Sequence, residues 1–182
     1  MAERANLHRG QDRTPDLQAV YRKWVAYSAN SFRSAEEVIR YSQGAMQRAW
    51  AIAPQWFGRL PTAPLPEIDS LPGADDSDPT AQYVPASQAG TRSKILVNLF
   101  ALLKPGAKLY LERVVFHEGV PGHHLQIAVQ QSSSVHALNR VLFSSAFVEG
   151  WAVYASNLAD EMGLHTSAAS RFHLSKPWLP MV

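Results

Sequence analysis

LYLERVVFHEGVPGHHLQIAVQQ, residues 109–131, decides how this chain folds. Its apolar residues recur at helical spacing on both sides of an interruption, Pro121-Gly122. Pro121 has no N–H to return to the carbonyl of His117, and Gly122 tolerates backbone angles closed to other residues. The pattern predicts a helix from about Pro105 to Glu118, a kink or bulge over 119–122, and a second helix through HHLQIAVQQ. Bulges of this kind often mark functional sites.

The interruption falls inside a cluster of chemistry-bearing groups: three of the seven histidines and one acid lie between His117 and His124. Neutral imidazole is the commonest protein ligand for zinc, and an adjacent carboxylate can serve as base. In H-E-x-x-H the histidines stand at i and i+4. Here i+4 is Pro121, and the next histidines are His123 and His124. On an unbroken helix His123 would point roughly 120° away from His117, and His124 would lie roughly 10 Å along the axis. A bulge can absorb the extra residues and return one of the two beside His117. The alternative is an ordinary turn with solvated histidines.

Composition bounds the rest. The 182 residues suffice for a single domain, 1–182, with 46% hydrophobic and 18% charged content. A formal charge of +2 and a pI near 9.0 come without a long basic run, so no nucleic-acid or membrane partner is expected. The start, MAERANLHRG, has no apolar signal-peptide core, which predicts a cytoplasmic protein. With no cysteine, any metal is held by His, Asp or Glu.

Helices are predicted over 16–30 and 34–52, the second opening with Ser34 and Glu37 as a capping box. Val38, Ile39, Ala45, Met46, Ala49 and Trp50 form its core stripe. Residues 54–90 hold seven of the twelve prolines and should form a surface excursion with little regular structure. KILVNLF, 94–100, reads as a short strand that could offer an edge to an extended peptide. A last long helix runs from about Val135 to Met162, ended by Gly163. The expected fold is mainly α, with at most a short β element.

That last helix carries AFVEGWAVYA, in which Glu149 is embedded among Phe147, Val148, Trp151 and Val153. A buried carboxylate must be protonated, paired or metal-bound. If the helices on either side of Ser134–Ala137 form an antiparallel hairpin, His123 and Glu149 lie thirteen residues either side of His136 and face each other. Gly150 would let the helices approach closely. A pairing of Glu149 with Arg140 is the structural alternative.

HEGVPGHHLQ, FVEGWAVYA and LADEMGL together resemble the bacterial family called domain of unknown function 885 (DUF885), whose members resemble gluzincin-type zinc metallopeptidases. FGRLPTAPLPE and the VN of ILVNLF extend the resemblance over roughly residues 20–172. It implies a zincin-like helical core, zinc on His117, one of His123 or His124, and Glu149, and Glu118 as the residue that activates water. Two departures are visible. Ser156 stands where the family usually has an acid, and the ending RFHLSKPWLPMV does not resemble the family, so the chain reads as a partial member, incomplete at its C-terminus.

The expected function is therefore zinc-dependent hydrolysis of a peptide or amide bond, with self-association through exposed apolar surface. His123 is preferred to His124 as the ligand, because its hairpin position opposes Glu149. The alternative is a non-catalytic metal-binding remnant or binding module. A di-iron bundle is set aside, since neither Glu118 nor Glu149 has a histidine three residues later.

Overall fold

A computed structural model of the chain describes residues 17–87, 91–132 and 144–174. Among these the fold is mainly helical with one small sheet, in the order α1 (Leu17–Ala26), α2 (Ala35–Trp56), β1 (Glu67–Ser70), β2 (Ala81–Val84), β3 (Lys94–Val97), α3 (Leu99–Leu102), α4 (Lys108–Glu118), α5 (His123–Ser132), α6 (Ser145–Glu161) and α7 (Ala168–Leu174). The predicted hairpin turn at Ser134–Ala137, with His136, lies outside the described residues, as does the stretch 135–143 of the expected last helix.

Helix α4 is the axis of the molecule. Nine of its residues are buried, from Leu109 and Leu111 through Glu118. It packs against α2, α6, α7 and β2, so no face is left for solvent and its polar residues lie inside. Helix α2 covers one side with Val38, Ala45, Met46, Ala49 and Ala53, while Ile39 and Trp50 are partly buried at the margin of the same core. Ser34 caps α2 as expected, accepting from the Glu37 N–H at 3.2 Å. Glu37 does not complete the box. Its carboxylate accepts instead from the Arg33 N–H at 2.8 Å and from Lys108 Nζ at 2.7 Å, which ties the start of α2 to the start of α4.

The proline-rich excursion is more regular than its composition suggests, because it supplies two of the three strands. The order is β1-β3-β2, with β1 parallel and β2 antiparallel to β3. The strand read from KILVNLF is thus central, with both its edges paired, and the open edge toward α4 belongs to β2. Asn98, fully buried, ends β3. Its side chain caps α3 by accepting from the Ala101 N–H and donates to the carbonyl of Asp75, clamping the acidic GADDSDP loop.

Glu112 is fully buried in α4. It accepts from Arg48 Nη2 at 2.6 Å, from the Thr166 hydroxyl at 2.7 Å and from the Thr166 N–H at 3.0 Å, with His165 Nδ1 at 3.6 Å. The acid joins α2, α4 and the turn after α6. Burial alone would raise its pKa, but the hydrogen bonds from His165 and Thr166 and the Arg48 charge outweigh it and bring the carboxyl down to about 2. A depressed carboxyl contributes stability that is present above its unfolded value and is lost as pH falls toward the folded one. Glu112→Gln should therefore unfold at lower denaturant than the parent at pH 7, with the gap closing as pH falls from about 4.5 toward 2. Denaturation midpoints across that range check this; a gap independent of pH would contradict it.

Candidate metal centre

The break between α4 and α5 is built as the sequence predicts, by Val120-Pro121-Gly122, with a cis bond before Pro121. The Gly122 N–H donates to the Phe116 carbonyl at 3.0 Å, and the Gln126 N–H to the Gly122 carbonyl at 3.1 Å. A Cβ on Gly122 would stand 1.8 Å from the His117 carbonyl oxygen, so only glycine lets the chain fold back on the end of α4. This close return brings His123 beside His117. Their rings meet edge-on at 4.8 Å between centroids.

Helix α6 adds the third group. Glu149 Oε2 lies 3.3 Å from His117 Nε2, and Glu149 Oε1 lies 3.6 Å from His123 Nε2. One ligand atom from each of the three residues falls within 4.8 Å of the others. Trp151, two residues on, donates its indole N–H to the Pro121 carbonyl at 3.0 Å and so fastens α6 to the break. Two sequence premises need correction. Glu149 is not buried: its side chain is 59% exposed, because Val148 faces the core and Glu149 faces the cleft. Gly150 does not admit a neighbouring helix, since a Cβ there would meet nothing within 4 Å.

Glu118 stands beside the trio without joining it, its Oε1 4.0 Å from His117 Nε2. It is buried, and burial pushes its carboxyl up to about 8, with the Glu149 charge adding to the rise and a hydrogen bond from the Tyr83 backbone opposing it. His117 is driven down to about 4, by burial first and then by the charges of His123 and Arg113, while a backbone contact at Ala152 favours its charged form. Burial lowers His123 as well. Both imidazoles are thereby held in the neutral state that metal ligation requires.

His124 faces elsewhere. It is fully buried, with Nδ1 3.2 Å from the Tyr83 hydroxyl, and takes no part in the trio. Ser156 is buried too and donates to the Val153 carbonyl of its own helix. Arg113 and Tyr83 were not singled out from the sequence. Arg113 is a charged residue in a helix that packs on every side, which is the available sign; Tyr83 meets Glu118 through its main chain and His124 through its hydroxyl, and only the second depends on residue type.

The cleft above these groups has a volume of about 460 Å³ and is lined by Val114, His117, Glu118, His123, Glu149 and the stretch from Pro79 to Tyr83. A tetrahedral zinc site with bonds of about 2.0–2.2 Å places neighbouring donors roughly 3.4 Å apart. The two imidazole–carboxylate separations, 3.3 Å to Oε2 and 3.6 Å to Oε1, are close to that spacing, while one donor atom from each residue falls within 4.8 Å of the others. Two neutral imidazoles and a carboxylate are a donor set of the kind that could hold a zinc ion.

The family described as "Bacterial protein of unknown function (DUF885)" matches residues 1–176. No curated protein matches the chain. Among solved structures, one described as "the putative lipoprotein from Colwellia psychrerythraea" aligns with a TM-score of 0.69 at 25% identity, covering 85% of this chain and 28% of that one. Another, "a putative lipoprotein of unknown function from Shewanella oneidensis", aligns with a TM-score of 0.57 at 19% identity, covering 87% and 30%. The chain thus spans less than a third of either structure's length. The expected cytoplasmic location does not stand, because both solved neighbours are described as lipoproteins. That expectation rested on ten N-terminal residues alone. Among the described residues no helix is long and apolar enough to cross a membrane.

The geometry separates two glycines. Gly122→Ala should lose the folded break and, with it, stoichiometric binding of divalent metal. Gly150→Ala should keep the break and raise the unfolding temperature slightly, since its Cβ meets open space inside a helix. Thermal unfolding and metal analysis of the two variants check the contrast.

Proposed function

The chain belongs to the DUF885 family, and we propose that its cleft is a zinc-dependent peptide- or amide-hydrolase site, with His117, His123 and Glu149 as ligands and Glu118 as the general base. The observation that carries this reading is the convergence of one donor atom from each of three residues within 4.8 Å, with a second acid, Glu118, buried just outside the group. Bound zinc would supply an acidified water and a polarised scissile carbonyl.

The protein's own groups account for the remaining chemistry. Glu118, whose carboxyl the charge of a bound cation would bring down from about 8, is placed to take a proton from the water whose oxygen adds to the carbonyl carbon. The same carboxyl returns that proton to the nitrogen as the C–N bond breaks, so the amine leaves neutral. Its position 4.0 Å from His117 Nε2 suits a base that stands off the ion rather than on it. Strand β2 supports a peptide substrate. The Asn98 N–H donates to the Thr80 carbonyl, so Gln82 and Val84 turn their main-chain groups toward β3 and Ala81 turns its own toward the open edge. An extended peptide can add there as a further strand. The description of both solved neighbours as lipoproteins supports placing this activity on a lipid-anchored protein.

A second reading, metal binding without turnover, draws on the 59% exposure of the Glu149 side chain, which leaves the cleft open on the α6 side. All four named residues lie between 117 and 149, so zinc can bind wherever that segment folds. Rate enhancement needs oriented donors for the developing oxyanion, worth a factor of about 10² to 10³.

Purified protein is expected to hold about one zinc per chain, in line with a single three-residue site. His117→Ala should abolish it. Glu118→Gln should retain zinc while peptide hydrolysis falls by about 10² to 10⁴. Stoichiometric zinc in the first variant or undiminished hydrolysis by the second would refute the assignment. Zinc without hydrolysis by the parent selects the second reading.

A further inference from the structure

His124 is the one histidine of the cluster that the proposed mechanism leaves unused. Its ring is fully buried on α5, and its Nδ1 meets the Tyr83 hydroxyl at 3.2 Å and the Ser93 hydroxyl at 3.4 Å. The Tyr83 and His124 rings also pack edge-on, 5.7 Å between centroids. Tyr83 is therefore held from two directions. Its side chain reaches α5, and it lines one cleft with Glu118, whose charged form its backbone favours.

The alternation along β2 explains how one residue does both. Ala81 and Tyr83 point their side chains inward, while Gln82 and Val84 are exposed. With Thr80 bonded to Asn98, the main-chain groups of Ala81 and Tyr83 face the open edge. Strand β2 has only four residues and sheet hydrogen bonds on one side. Its height against α4 is not set by sheet pairing alone. A tether from its inner face to α5 fixes that height at the residue that touches Glu118.

We propose that Tyr83 and His124 are positioning residues, whose contact holds β2 so that the Tyr83 N–H aims the Glu118 carboxylate and the free-edge groups of Ala81 stay in register for a substrate main chain. The catalytic part of this rests on the hydrolase reading; the positional part does not.

Residue-resolved amide exchange of the 182-residue chain separates the two. In Tyr83→Phe and His124→Leu the residue 83 amide should exchange at least about tenfold faster, as expected when a local tether is lost. The amides of Gln82 and Val84, bonded to β3, should change far less. His124→Asn, which can place a polar atom near the Nδ1 position, should keep residue 83 protected. In zinc-loaded protein, Tyr83→Phe and His124→Leu should each lower kcat by about tenfold at unchanged zinc content, while His124→Asn should keep most of it. An unchanged residue 83 amide overturns the proposal, as does equal acceleration across residues 82–84, which marks a merely structural contact. Faster exchange at 83 with undiminished kcat overturns its catalytic part. A parent chain that hydrolyses nothing defeats the hydrolase reading, and the exchange result then decides the positioning by itself.

Discussion

A carboxylate removed from water must be compensated or surrender its charge, and α4 contains one acid of each kind, six residues apart. Glu112 is met by a guanidinium, a hydroxyl, a backbone N–H and an imidazole, which bring its carboxyl down to about 2. Glu118 has a single backbone N–H and a neighbouring acid, and is pushed up to about 8. The helix can hold both because every side of it is covered, by α2, α6, α7 and the inner face of β2. The satisfied acid locks the helices whose spacing the other depends on. Paired carboxyls driven apart by their surroundings are a recurrent way of dividing structural from chemical roles.

Much of this was legible in the sequence, though not always for the right reason. The break after Glu118 followed from a proline with no donor and a glycine at a point of closest approach. Within the break the structure places His123, not His124, next to His117. Glu149 was drawn to the site by its distance from His136 and by a supposed burial. Glu149 does lie 3.6 Å from His123, though the turn invoked for that lies outside the described residues, and the burial is absent: Phe147 and Glu149 are both exposed. The helix cap at Ser34 was readable because it depends on residues three apart. The two strands within the proline-rich stretch were not, because strands of four residues are specified by partners distant in the chain rather than by their own composition. The Asn of ILVN, noticed only as part of a resemblance, proves to be the clamp on the loop between β1 and β2.

Fold likeness alone assigns no chemistry, since one architecture hosts many activities. The matched family is described as having unknown function, and the solved neighbours are described only as lipoproteins. Residues from three separate elements, α4, α5 and α6, meet with part of a fourth, β2, in one cleft that no single segment could form.

The three donors differ in how firmly they are set. His117 and His123 lie at the buried ends of α4 and α5, whereas Glu149 stands on the second turn of α6 with more than half of its side chain in solvent. Groups embedded in a core become accessible only in rare, large openings, while an exposed side chain changes rotamer in nanoseconds. If the cleft holds an ion, solvent reaches it on the α6 side, past the one donor that can move without opening the core, so a chelator could approach it in the native protein.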